Sequence, residues 1–310
     1  MSWIICGSVP DADFPLSLST WHMEQGRLHA DGTAHLPQGG VLPELSVQRG
    51  TPALIAATLQ VCQSLHGPRP LALLVGDTGS GAGSLALYDF LADWLATTTE
   101  LLHGLTFHYL FPHVDGHNRI LMSYKSYAGQ HPAPTLVADA GFMYAAKMSG
   151  YASEYDLFTP DAGELAFLAD ENAPHPFYTR GFLLDNGLST QELVQRAQTH
   201  DNCARTLLIK GAVDTVAEGG EVVATVDSPN IPFMEPIGGT GDLVTGIVTG
   251  LLMAGWPLRQ ACVAAAKTNR LAGELAAPTP ATQVGELIPF LPAALRQALQ
   301  QLSFTDKNSQ

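Results

Sequence analysis

The chain has 310 residues, 46% hydrophobic and only 14% charged, which excludes an intrinsically disordered protein and leaves ample material for a core. Fifteen Lys and Arg against 29 Asp and Glu give a net charge of −14, so there is no basic patch for a nucleic-acid backbone. A phosphorylated ligand must then be held by backbone N–H groups, a metal, or one or two placed cations. Cys6, Cys62, Cys203 and Cys262 form no C-x-x-C pair, the pattern of buried thiols in a reducing compartment. The N-terminus lacks the basic flank of a signal peptide. The most apolar stretch, residues 243–256, is Gly-interrupted and shorter than the ~20 residues needed to span a bilayer. A cytoplasmic protein acting on a small molecule is expected, without nucleic-acid or membrane partners.

Residues 1–48 read as irregular, apart from a hairpin predicted around Asp31-Gly32, where apolar and polar residues alternate. A helix is predicted from Thr51, with Pro52 in its first turn, followed by an apolar strand at 70–76. A Gly-rich turn leads into a helix over 85–102, then strands at 105–111 and 134–140. Residues 155–160 read as a strand running into a turn, and 163–169 as the start of a helix. An amphipathic helix over 189–200 has Ser189 as cap and Glu192 three residues on. A buried strand at 204–211 precedes a hairpin centred on Gly219-Gly220, and two helices close the sequence. Apolar strands alternating with helices predict a mostly parallel sheet covered on both faces.

Five features carry potential chemistry. Gly238-Gly239-Thr240-Gly241-Asp242 opens directly into an apolar helix, whose unpaired N–H groups and positive dipole end make an anion site without basic residues. Asp242, in the first turn, is placed to take a proton from a hydroxyl, or else merely to stabilise the helix start. The turn at residues 76–84 matches neither a Walker loop nor the dinucleotide fingerprint, yet its Asp77 can face an anion or substrate. Asp161 and Glu164 are spaced for a hydrated Mg²⁺, or equally for a capping box. Lys210 ends a strand at the crevice where open α/β sheets bind ligands. His108, His113, Asp115 and His117 read as a surface loop, with substrate contact through Asp115, His117 or Asn118 as plausible as metal binding.

Residues 137–146 (VADAGFMYAA), 157–168 (LFTPDAGELAFL), 207–221 (LLIKGAVDTVAEGGE) and 238–255 (GGTGDLVTGIVTGLLMAG), in this order, resemble the ribokinase-like superfamily. The branch they are most similar to is the NAD(P)H-hydrate dehydratase, or carbohydrate-kinase-like, family, over roughly residues 70–277. The resemblance implies a single domain with a three-layer α/β/α fold and a mostly parallel central sheet. It implies an anion hole from Gly239, Thr240 and Gly241, Asp242 as general base, and Lys210 with Gly238 on the phosphates of ATP or ADP. Asp161 and Glu164 would govern Mg²⁺, while residues 213–226 and 264–270 would flank the adenine. Asp77, Asp115 and Asp139 are the acids expected near the substrate, and a homo-oligomer is expected. The chain departs from the family at Asp161-Ala162, where His-Pro is usual, and at Gly141, where a second aspartate is usual. Residues 1–50 also show no match to the family's Gly-rich substrate side. The resemblance therefore favours nucleotide use over hydrate repair as such, and leaves open a dehydratase, a small-molecule kinase or a nucleotide sensor.

Overall fold

Alternation along the N-terminal strand β1 (Ser2–Val9) sends Trp3 and Ile5 into one apolar layer and Ile4 and Cys6 into another, all buried. A strand buried on both faces belongs in the middle of a sheet, and β1 is there. This overturns the irregular reading of residues 1–48. The computed structural model describes residues 2–35, 41–181 and 188–307. The other strands are β2 (Ser17–Glu24), β3 (Arg27–His35), β4 (Leu45–Ser46), β5 (Leu71–Gly76), β6 (Leu102–His108) and β7 (Thr135–Ala138). They continue with β8 (Leu157–Phe158), β9 (Thr206–Ile209), β10 (Asp214–Glu218) and β11 (Glu221–Val226).

Among the described residues these form one sheet in the order β11-β10-β9-β8-β7-β6-β1-β5-β2-β3-β4. The six strands from β9 to β5 run parallel, and antiparallel strands extend each edge. The hairpin predicted near residue 31 exists, but its turn is Gln25-Gly26, and Asp31-Gly32 falls inside β3. Both turn residues have positive φ, 48° and 78°, as a two-residue turn matching the strand twist requires.

Helices α1 (Thr51–Ser64), α7 (Thr240–Met253), α8 (Leu258–Ala276) and α9 (Leu291–Lys307) cover one face. Helices α2 (Ala82–Thr97), α3 (Val114–Ala128), α4 (Phe142–Met148), α5 (Ala162–Ala169) and α6 (Thr190–Thr199) cover the other. The three-layer α/β/α arrangement agrees with expectation. No helix among the described residues is long and apolar enough to cross a membrane.

One contact positions the site. Helix α7 is buried from Asp242 to Leu251, which is why it reads as apolar all round. A Cβ at Gly246 would lie 2.3 Å from the Leu54 carbonyl, and one at Gly250 2.7 Å from Val61. The two glycines let α1 and α7 touch backbone to backbone, and the Thr58 hydroxyl donates to the Gly246 carbonyl at 2.9 Å. Their N-termini consequently converge above the carboxyl ends of the parallel strands. A substituent at Gly246 would have to push the helices apart, at a cost of about 1–3 kcal/mol.

Candidate active site

Strand order reverses at β1, whose neighbours are β5 on one side and β6 on the other, and ligands bind open α/β sheets beyond the carboxyl ends at such a point. Beside that point, past the carboxyl ends of β6 to β9, lies a cavity of about 720 Å³ lined by Asp139, Asp161, Glu164, Lys210, Gly239, Thr240, Gly241 and Asp242. Each parallel strand from β7 to β9 delivers one of these groups just past its end. Helix α7 delivers the rest through its first turn, where Gly239 takes φ 102° as N-cap and the leading N–H groups lack partners within the helix. The sequence-predicted anion hole, base, lysine and acid pair thus converge on one cavity.

Asp242 is buried, with its Oδ2 accepting from the Gly50 N–H at 2.5 Å and its Oδ1 lying 3.1 Å from His108 Nε2. Burial alone would raise its carboxyl. The hydrogen bond from His108, the charge of Lys210 and the Gly50 N–H outweigh that and hold it below the usual carboxylate range. A group kept ionised while facing a cavity suits proton abstraction.

Lys210 Nζ sits 2.9 Å from both oxygens of Asp139. Asp139 also accepts from the Thr245 hydroxyl at 2.6 Å and from the Ala140 N–H at 2.8 Å. Burial would lower the lysine, but the carboxylates of Asp139 and Glu164 reverse this and hold it well above its ordinary value. Asp139, expected near the substrate, lines the cavity and serves as the counter-ion of Lys210, for an unpaired buried ammonium would be costly.

Asp161 and Glu164 form a reciprocal capping box on α5: Asp161 Oδ1 accepts from the Glu164 N–H and Glu164 Oε2 from the Asp161 N–H, each at 2.8 Å. Tyr144 donates to Glu164 Oε1 at 2.6 Å. Burial pushes the Glu164 carboxyl up to about 7; Lys210 opposes this, and the charges of Asp139 and Asp161 add to it. Capping and cavity lining therefore coexist in the same two residues.

One expectation does not hold. Residues 113–117 are not a surface loop: His113 caps α3 by accepting from the Gly116 N–H, which places Asp115 on its exposed first turn, lining neither of the two cavities described here. His117 is buried against the Tyr155 hydroxyl at 2.9 Å, and burial lowers it to about 4, so it stays neutral and structural. Asp77 does line a second cavity of about 500 Å³, next to the first across Tyr109 and Ala140. Its carboxylate accepts from the N–H groups of Gly79, Gly81 and Ser84 and from the Ser84 hydroxyl. These bonds outweigh burial and lower its pKa, so Asp77 organises its own turn before it can meet a ligand.

Sequence reasoning missed Gly50 and Thr51 as site residues, reached Asn269 and Arg270 only within the stretch 264–270, and gave His108 no part beside Asp242. Arg270 Nε donates to Asp214 at 2.8 Å and its other nitrogens reach the carbonyls of Gly211, Ala212, Asp227 and Pro229. One guanidinium so ties α8 to the two loops that wall the cavity. Asn269 also lines it, 7% exposed, with its carboxamide oxygen lacking a partner in the described structure.

The family model for NAD(P)H-hydrate dehydratase matches residues 122–289. An uncharacterized protein of Methanocaldococcus jannaschii is 34% identical over 248 residues, 80% of this chain and all of that one. The ADP-dependent (S)-NAD(P)H-hydrate dehydratase of Cenarchaeum symbiosum is 30% identical over 138 residues, 44% of this chain and 43% of that one. In three dimensions the chain is similar to the ADP complex of Bacillus subtilis pyridoxal kinase, with TM-score 0.52 and 15% identity over 86% of this chain and 88% of that one, a likeness of fold alone. Because the matched residues run from α3 through the converging acids, Lys210 and the Gly-Thr-Gly-Asp helix start, the chain belongs to the NAD(P)H-hydrate dehydratase family and is an enzyme.

Proposed function

We propose that the protein uses ATP or ADP to perform phosphate chemistry on a small hydroxylated substrate of the NAD(P)H-hydrate type, with Asp242 as general base. The observation that carries this reading is Asp242 itself, ionised, buried and at the rim of an N–H-rich helix start facing the cavity. The Cenarchaeum relative, named for ADP-dependent hydrate dehydration, supports it. The nucleotide phosphates lie on the N–H groups of Gly239, Thr240 and Gly241 beside Gly238, with Lys210 alongside. Its base end lies toward α8, where the unpaired Asn269 carboxamide offers a hydrogen bond.

The acceptor hydroxyl passes its proton to Asp242 while its oxygen forms the new bond to phosphorus, and the departing nucleotide takes the electron pair of the bond that breaks. The helix-start N–H groups neutralise charge on the transferring phosphoryl group, an arrangement worth most where water is excluded. Elimination completes a dehydration, the phosphate leaving with the C–O electron pair as the neighbouring carbon gives up a proton to form the C=C bond, whereas release of the phosphoester is the kinase outcome. The acids fit a divalent cation, since burial first, and then the charges of Asp139 and Asp161, hold Glu164 at about 7 against Lys210, and a cation beside it would offset that cost. Asp161 and Glu164 would hold hydrated Mg²⁺, which supplies positive charge against the phosphates.

The test is incubation of the protein with NADH hydrate, Mg²⁺ and either ATP or ADP, following the return of NADH absorbance and the fate of phosphate. Return of NADH with release of phosphate is expected. A stable phosphoester would make the protein a kinase, and a thermal shift with nucleotide but no turnover would make it a sensor.

A further inference from the structure

His108 ends β6 with none of its side chain exposed, and both ring nitrogens are engaged. Nε2 is 3.1 Å from Asp242 Oδ1 and 3.7 Å from Asp139 Oδ2, and Nδ1 is 3.1 Å from Thr51 Oγ1. An ionised carboxylate can only accept, so Nε2 carries the hydrogen. In the neutral ring Nδ1 then accepts from the Thr51 hydroxyl, which fixes the tautomer. The fold makes room for this contact at some cost: a Cβ on Gly7 of β1 would lie 2.6 Å from Thr51 and 2.8 Å from the His108 carbonyl. Tyr109 closes the ring from the cavity side, edge-on at 4.4 Å. The Gly50 N–H, at the start of the same helix as Thr51, holds the other Asp242 oxygen.

We propose that His108 is a positioning residue for Asp242, held in its Nε2–H tautomer by Thr51, and that this pair aims the Asp242 carboxylate at the acceptor hydroxyl. The proposal rests on Asp242 being the base. The groups facing Asp242 are His108 and Tyr109 from β6 and its end, Asp139 beyond β7, Lys210 beyond β9 and the Gly50 N–H of α1, with Glu164 of α5 farther across the cavity. Lys210 and Asp139 are committed to each other. His108 is thus the side chain that offsets the burial of Asp242 most directly.

His108→Phe keeps a buried ring and removes both nitrogens, His108→Gln restores one neutral N–H donor, and Thr51→Val removes only the Nδ1 partner. The first readout needs no substrate: the carboxyl ¹³C titration of Asp242, assigned with Asp242→Asn. The second is the pH profile of kcat for NADH return from NADH hydrate. In His108→Phe the Asp242 midpoint and the acidic limb of kcat should both move up by about one pH unit. Turnover at neutral pH should fall about tenfold, as for loss of one hydrogen bond to a charged group, with nucleotide KM unchanged. His108→Gln should recover most of this, and Thr51→Val should move the midpoint in the same direction by less. An unmoved midpoint in folded His108→Phe, or in Thr51→Val should the former fail to fold, overturns the proposal. Should Asp242→Asn remain active, the base assignment itself fails, whatever His108 does.

Discussion

Arg270 and Arg259 allow a buried and an exposed ion pair to be compared between the same two elements, α8 and β10. Arg270 and Asp214 keep 8% and 7% of their side chains exposed, whereas Arg259 and Glu218 keep 55% and 28%. Removing one partner of a buried pair strands the other and typically costs 3–5 kcal/mol, against about 0–1 for an exposed pair. Arg270→Met leaves Asp214 buried without its cation and takes donors from four carbonyls, so a loss at the upper end, about 4–5 kcal/mol, is expected. Arg259→Met should cost under about 1 kcal/mol. Asp214 already sits above its usual 3.8 because burial outweighs Arg270, and the substitution raises it further. A carboxyl whose folded pKa exceeds its unfolded one loses stability as pH rises through that interval. The Arg270→Met penalty should therefore be full at neutral pH and shrink toward about pH 4. Adding Asp214→Asn should restore part of the loss at neutral pH. Urea unfolding of the three variants and the wild type at two pH values measures this, with nucleotide affinity as a second readout of the loosened cavity wall. Equal costs for Arg270→Met and Arg259→Met would refute the reasoning.

Three further outcomes follow from the same geometry. A Cβ at Gly241 meets Lys210 Cδ at 3.5 Å, ordinary contact, so Gly241→Ala should be tolerated. Gly241→Val pushes its γ carbons into the lysine and the phosphate space and should weaken nucleotide binding at least about tenfold by calorimetry; unchanged affinity would misplace the phosphates. Glu164→Gln keeps a residue suited to the capping box while removing a charge whose pKa burial raises from 4.5 to about 7. Ionising Glu164 costs stability as pH rises through that window, so the variant should melt higher than the wild type near about pH 8 but not near about pH 5. It should also weaken binding of Mg²⁺-nucleotide more than of free nucleotide, and equal weakening would leave the pair a purely capping role.

The helix start at 238–242, Lys210 at its strand end and the Gly219-Gly220 hairpin were legible because each is a local pattern with one physical reading. Strand β1 was not, since its short apolar run sits in a polar, Pro-containing stretch and its partners begin at Leu71 and Leu102. The Gln25-Gly26 turn was missed because Gln seldom takes positive φ, whereas Asp31-Gly32 nearby carries the usual hairpin signature. Asp161-x-x-Glu164 reads equally as metal pair and capping box, as both demand acids one helical turn apart. His108 could not be placed from its neighbours, because its meaning comes from Asp242, 134 residues away.

Turnover of Asp242→Asn tests the central claim most directly. Asparagine preserves size, and its amide can still meet His108 or the Gly50 N–H, so folding and nucleotide affinity should persist. Affinity should hold or rise slightly, because a negative charge beside the phosphates is gone. The proton acceptor alone is lost, and NADH return from NADH hydrate with ATP or ADP should fall about 10²–10⁴-fold. Wild-type turnover in a folded, nucleotide-binding Asp242→Asn protein would contradict the account and return Asp242 to stabilising a helix start.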